Sequence, residues 1–513
     1  MEDKISELKD WYASAVKNQQ EGKAEIAEKL YKKILNQAPN HINTQSNLGA
    51  LYAQTGHTEK ALDLLQSVIK ADPKHINANI NLGVVFNRKA EYHKAIECHE
   101  RILKVDPNHA DAYNNIAINY QHLGENDLAK NNFYKAIEAQ PNHARAYNNL
   151  GILIGELGEH EEATKLFKKA LKIDPNFYGA QANLSNTYIN QADKIELSVN
   201  ESYKALSLHH ILSKVYSHSV PLFRLKHDVQ QSEYLKQKGY NINGLNEFNE
   251  IGKEILSKNA NKELTNDIFI KDSEAKALLP FYKTQHIYDT NKTSKDSLNS
   301  KNNWSKVEAD YLHSDNQIIY IDNFLSDEAI KELREFCLVS KVWVHQYDKK
   351  YLGAFADSGF TSSLHLKIRK ELQNKMPNLF GKYNSGKFWG FKYDTTLGDG
   401  IGIHADFANL NLNFWITPDE YNNNKNKSGL KVYDAPAPDN WSFHKYNSAA
   451  TEIFAFLKEK KANCKTIPYK FNRAVLFNSA YFHETDDIDF QDGYESRRIN
   501  ITYLFGARNV KKK

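Results

Sequence analysis

Five prolines, Pro39, Pro73, Pro107, Pro141 and Pro175, stand 34 residues apart, and other positions keep the same period. Ala27, Ala61, Ala95, Ala129 and Ala163 each fall twelve residues before one of them. Leu48, Leu82, Ile116, Leu150 and Leu184 form a second series, followed directly by the small residues Gly49, Gly83, Ala117, Gly151 and Ser185. Proline cannot continue a helix, and a small residue recurring beside an apolar one marks where two helices touch. The pattern predicts helix–turn–helix units. None can bury its apolar face alone, so they must stack into a solenoid.

These positions resemble the tetratricopeptide repeat (TPR) over residues 8–195, as five full units and a partial sixth. The resemblance implies a concave groove, lined by the first helix of each unit, that holds a protein or peptide partner. Asn47, Asn81, Asn115, Asn149 and Asn183 recur on that helix. A side-chain amide both donates and accepts, so a row of them can pair with an extended peptide backbone whatever its sequence. The arrangement resembles the asparagine ladder of the protein O-GlcNAc transferase solenoid. An equal reading is that asparagine at this position stabilises each repeat.

The chain has 513 residues, more than one core can serve. Its 67 Lys and Arg against 63 Asp and Glu leave +4, too small a surplus to imply nucleic acid or an anionic membrane surface. Cys98, Cys337 and Cys464 lie far apart, which argues against a disulfide framework or a structural zinc site and suits a reducing compartment. The opening "MEDKISELKDWYASAVKNQQ" is charged, and no run approaches a membrane span, so a cytoplasmic location is expected.

Residues 196–286 lose the register but keep helical patterning, with Gly239 as a helix stop, and are expected to cap the solenoid. His227, beside Asp228, is expected on a helix surface. Residues 287–305 are rich in Ser, Thr, Asn and Lys and read as a polar linker. From 306 to 513 the texture changes. "IIYIDNFLSDEAIKEL" gives a strand and then a helix capped by Ser326, and "KFWGFKYD", "NLNLNFWIT", "GLKVYD", "RAVLFNS" and "RINITYLFG" read as antiparallel strands. Alternation sends Leu410, Leu412, Phe414 and Ile416 to one face and Asn411, Asn413 and Trp415 to the other.

Ahead of that alternating run, "GIHAD" places His404 and Asp406 two apart. Strand residues at this spacing share a face, so an imidazole and a carboxylate can close on one metal ion. Alone, the triplet better describes two polar surface residues, because His-x-Asp is short enough to occur by chance. Two further segments bear on the choice: "NRAVLFNSAYFHETDDI", an apolar strand leading to His483, and "ESRRINITYLFG", a strand opened by Arg497 and Arg498.

The order of these pieces, with Tyr393 eleven residues before His404, resembles the prolyl-4-hydroxylase-like oxygenases that use Fe(II) and 2-oxoglutarate. The resemblance spans about 317–508. It implies a double-stranded β-helix (jelly-roll or cupin-like) domain with flanking helices, following the all-α solenoid. It also implies iron held by His404, Asp406 and His483, three positions left for 2-oxoglutarate and O2, and hydroxylation of substrate coupled to decarboxylation of the cosubstrate. The retained carboxylate of Asp406 favours hydroxylation over halogenation. Arg498 is in phase with Asn500 and Thr502 and is matched to the distal carboxylate of 2-oxoglutarate, with Tyr393, Asn411 and Asn413 beside it. Arg497 competes for that role and otherwise reads as a surface residue. His444 is a rival to His483, within an insertion (436–465) expected to add a helix or lid near the mouth. The leading reading is a dioxygenase acting on a protein or peptide side chain recruited by the repeats. An inactive scaffold and an enzyme with a small-molecule substrate remain open.

Overall fold

The computed structural model describes residues 2–189, 191, 194–212, 219–288, 290, 296–347, 351–383, 386–394 and 400–506, which fall into two compact units. The first, through Phe177, holds five helix pairs: Glu2–Gln20 with Ala24–Gln37, Ile42–Gln54 with Thr58–Ala71, Ile76–Arg88 with Tyr92–Val105, Ala110–Leu123 with Asn126–Ala139, and Ala144–Glu156 with His160–Ile173. Each second helix ends two residues before its proline. The small-residue series has a steric cause. A Cβ on Gly49 would meet the Leu65 side chain at 2.8 Å, and one on Gly151 the Phe167 ring at 2.7 Å.

One periodic feature escaped the sequence reading. His41, His75, His109 and His143 are the N-caps of successive first helices, each accepting at Nδ1 from the backbone N–H three residues on. His75 Nε2 then meets Asn43 Oδ1 at 3.1 Å and His143 Nε2 meets Asp111 Oδ1 at 2.9 Å, tying each cap to the preceding repeat. The recurrent "PNH" and "PKH" triplets were the available signal.

His99 lies under Gly83, with Nδ1 buried and unpartnered. Burial, helped by the nearby His109, pushes its pKa down to about 4. The folded state therefore holds it neutral. Its contribution is complete above the ordinary histidine value and is lost as pH falls from there toward 4, about 3 kcal/mol in all. Urea unfolding of the repeats across this range should show that slope, and His99→Leu should flatten it; an unchanged slope would place its origin elsewhere.

The second unit begins at Tyr178, inside the stretch read as solenoid, with paired helices Tyr178–Ile189 and Ile195–Leu212. Strands β1 (Ser219–Pro221) and β2 (Asp267–Phe269) form a ribbon. The others are β3 (Ile318–Ile321), β4 (His345–Tyr347), β5 (Tyr351–Phe355), β6 (Gly386–Tyr393), β7 (Leu410–Trp415), β8 (Leu430–Pro436), β9 (Cys464–Ile467), β10 (Ala474–Asn478), β11 (Tyr481–Thr485) and β12 (Ile499–Phe505). They make a seven-stranded sheet, β3-β10-β7-β12-β6-β5-β4, and a three-stranded sheet, β11-β8-β9, with every pairing antiparallel.

Phe391, Trp415, Val475 and Phe477 of the large sheet share one core with Leu430, Val432 and Ile467 of the small one. On the large sheet's other face, Leu412, Phe414, Ile501 and Tyr503 pack with Leu333, Phe336, Leu364 and Ile368 from flanking helices. The alternation read from β7 and β12 therefore holds. Ser326 caps Asp327–Val339 as expected, its Oγ accepting from the Ala329 N–H.

Four expectations change. The helices Leu222–Gln237, Leu245–Lys258 and Asp272–Lys283, read as a solenoid cap, share a core with Leu338, Val339 and Tyr494 of the second unit. His227 is buried, not on a surface: its Nδ1 meets Asp228 at 2.9 Å and its ring lies against Tyr494. In the linker, Leu298 is fully buried and the Ser297 and Leu298 N–H groups donate to Glu371; 289 and 291–295 lie outside the described residues. The insertion does form helices, Phe443–Ser448 and Ala450–Lys460, but they brace the ligand-bearing segments from behind. Ile453 and Leu457 pack on Ile403, Ala405 and Phe482, the neighbours of His404 and His483. Among the described residues no helix is long and apolar enough to cross a membrane.

Candidate metal centre

His404 and His483 face each other across an isolated antiparallel bridge, the N–H of each donating to the other's carbonyl at 3.0 and 2.8 Å. The Asp406 N–H donates to Ser479 O, which brings the carboxylate beside both rings. Ligand atoms of His404, Asp406 and His483 lie within 4.8 Å of one another, the one such cluster found among the described residues.

Backbone carbonyls set the imidazole tautomers. His404 Nδ1 lies 2.8 Å from Gly402 O, and His483 Nδ1 lies 3.0 Å from Tyr481 O. A proton donated there leaves Nε2 with a free lone pair, the arrangement that orients metal-binding histidines. His483 Nε2 stands 3.4 Å from Asp406 Oδ2. A shared proton or a metal ion can close a pair so placed. Burial, then the neighbouring His483, pushes the pKa of His404 down to about 4, against the pull of Asp406. Burial opposes ionisation of Asp406, but His483, His404 and the Asn411 amide together hold its carboxyl below the ordinary value. Two neutral nitrogens and one carboxylate oxygen suit a divalent first-row metal such as iron.

Arg498 is 1% exposed. Its Nε donates to Ser428 O at 2.8 Å, and its guanidinium lies near the rings of Tyr393, Trp415 and Tyr469. No described carboxylate forms an ion pair with it; Asp486, the nearest in effect, pairs with Lys431 at 2.9 Å. Beside it the Tyr393 hydroxyl and Trp415 Nε1 are buried without partners, as is Ser479 Oγ in the strand turn. Arg497 is the correction. It is buried, pairing with Asp394 at 2.8 Å and donating to Gln230 at 2.8 Å, because the helix Leu222–Gln237 covers the face that the sequence left open to water.

The two asparagines each commit one amide N–H. Asn411 donates to Asp406 Oδ2 at 2.7 Å and Asn413 to Thr502 Oγ1 at 2.9 Å, leaving each Oδ1 unpartnered. Asn411 thus orients a ligand, while Tyr393, Trp415 and the Arg498 hydrogens not given to Ser428, Gly429 and Asn500 are left as donors. His444 lies in the helix Phe443–Ser448, its side chain outside the described residues. The alternation of β7 puts Trp415 on the cavity face without showing its indole N–H unpaired, and nothing local in "FNSAY" marks Ser479.

Asn47, Asn81, Asn115 and Asn149 lie half-buried on first helices of the first unit, and Asn183 half-buried in the second. Asn47 donates to the Tyr12 hydroxyl at 2.9 Å and Asn149 to Asn114 Oδ1 at 3.0 Å, so both brace neighbouring helices. Asn149 also lines a 310 Å³ hollow with Ile118, Ile152 and Glu156.

Tetratricopeptide repeat family models match residues 19–80, 75–142 and 108–176, so this part of the chain consists of TPR repeats. Among solved structures, a MamA crystal structure is 30% identical over 31% of this chain and 94% of its own, with a TM-score of 0.29. MamA from Desulfovibrio magneticus is 20% identical over 33% and 96%, with a TM-score of 0.30. TTC0263, a thermophilic TPR protein of Thermus thermophilus, is 17% identical over 35% and 98%, with a TM-score of 0.32. A search of curated proteins found no match.

Proposed function

We propose that this chain is an Fe(II)- and 2-oxoglutarate-dependent dioxygenase that hydroxylates a protein or peptide side chain recruited by its TPR repeats. The observation that carries the reading is the pairing of the His404–Asp406–His483 cluster with a buried Arg498 that no described carboxylate neutralises. The winding of the second unit supports a jelly roll. In chain order β6, the His404 segment, β7, β8 and β9, β10, β11 and β12 pass back and forth between the two sheets.

His404 and His483 present Nε2 lone pairs because carbonyls hold their Nδ1 protons, and Asn411 turns Asp406 toward them. Arg498 offers a bidentate partner to the distal carboxylate of 2-oxoglutarate, with Tyr393 and Trp415 as further donors. When bound, iron and 2-oxoglutarate would let O2 serve as the oxidant, one oxygen atom going into the substrate C–H bond and the other into succinate, with CO2 released. The surrounding residues exclude water and fix orientation. The test is mass spectrometry of a lysate incubated with the chain, iron and 2-oxoglutarate. A protein or peptide product that has gained one oxygen is expected; the same product without added enzyme, or none with it, contradicts the reading.

Substrate delivery has its own test. Asn81→Ala with Asn115→Ala spares the bracing bonds of Asn47 and Asn149. Two lost hydrogen bonds at about 0.5–1.5 kcal/mol each should weaken a protein substrate roughly tenfold, with substrate-free decarboxylation unchanged. A folded double variant with unchanged turnover would leave the groove to an assembly partner.

A further inference from the structure

Away from the metal cluster, a small cavity lies within the second unit between the helix Ser363–Lys375 and the pair Tyr178–Ile189 and Ile195–Leu212. Leu366, Arg369, Lys370 and Gln373 line it from one helix face, and Gln191 and Ser198 from the other side. Arg369 is 4% exposed and forms no ion pair or hydrogen bond with any described residue; its Nη1 is buried without an acceptor. The one group whose charge would favour it, Tyr503, donates its hydroxyl to His365 O and is kept neutral by burial. Gln191 Nε2 is a second buried donor without a partner.

No acidic residue lines the cavity. The unpartnered groups are donors, and an isolated buried cation is strongly disfavoured unless something neutralises it. The free space is about 10 Å³, room for one water-sized body. Water would answer the donors with its lone pairs but leave the charge unmet. A tetrahedral oxyanion would need more room than this.

We propose that this cavity is a chloride site, in which Arg369 and Gln191 hold one monatomic anion that clamps the helix pair Tyr178–Ile189 and Ile195–Leu212 to Ser363–Lys375. The proposal does not rest on the iron reading.

Thermal unfolding of the full chain tests it, with chloride exchanged for gluconate at constant ionic strength. Chloride should raise the transition of the second unit by ~3 °C or more, and Arg369→Met should abolish that response. In gluconate alone Arg369→Met should unfold at or above the wild-type temperature, because it removes an uncompensated charge; this separates loss of a ligand from failure to fold. Gln191→Leu should weaken the response with Arg369 in place. Bromide-soaked crystals should give an anomalous peak within hydrogen-bond reach of Arg369 Nη1. An equal chloride response in wild type and Arg369→Met, a larger response to phosphate than to chloride, or no bromide peak would overturn the proposal.

Discussion

Alanine in place of His404, Asp406 or His483 is expected to strip iron from the chain, from one Fe(II) per molecule to a trace, as read by metal analysis after anaerobic loading and desalting. Each change removes one of three donors gathered within 4.8 Å. Loss of a partner one shell out costs about 10–100-fold in metal affinity, so a ligand itself should cost more. Asn411→Ala sets the scale, since it frees Asp406 Oδ2 from a 2.7 Å hydrogen bond without deleting a donor. It should fall in the 10–100-fold range. His444→Ala should keep its iron. If His483→Ala keeps iron and His444→Ala loses it, the distal ligand has been assigned to the wrong histidine.

The second large effect separates the arginines. Arg498→Ala should leave iron binding intact and raise the 2-oxoglutarate requirement. A charge-assisted hydrogen bond to a buried carboxylate is worth about 1.5–3 kcal/mol, roughly ten- to a hundredfold in affinity. Arg497→Ala should act on stability instead. It removes the ion-pair partner of Asp394, 2.8 Å away and buried, and removing one partner of such a pair costs about 3–5 kcal/mol. Isothermal titration with 2-oxoglutarate and urea denaturation of both variants decide this. Should Arg497→Ala fold normally and lose 2-oxoglutarate while Arg498→Ala does not, the roles are reversed.

The repeats were legible because the same steric demand recurs every unit: a large side chain such as Leu65 or Phe167 admits only a small residue opposite it, and proline follows each second helix. The faces of β7 and β12 were legible for a similar reason, since a period of two divides core from interior wherever both faces are covered. What failed depended on packing from distant segments. Arg497 and His227 read as surface residues because nothing near them shows that the helix Leu222–Gln237 lies against the strand-bearing part of the chain. The insertion carries apolar residues suited to a lid or a brace, and only the alternation of Ile403 and Ala405 around His404 decides that it backs the ligands. Partner choice was equally hidden. In the sequence the asparagines of β7 read as partners of 2-oxoglutarate, whereas one N–H of each goes to Asp406 or Thr502.

The most direct measurement is release of labelled CO2 from 2-oxoglutarate labelled at the carboxylate next to its keto group, by the full chain in air. Release should require added Fe(II), fall to background in Asp406→Ala, and rise when a cell lysate supplies substrate. An iron-loaded chain that binds 2-oxoglutarate yet releases no label, with or without lysate, or release undiminished in Asp406→Ala, would contradict the dioxygenase reading.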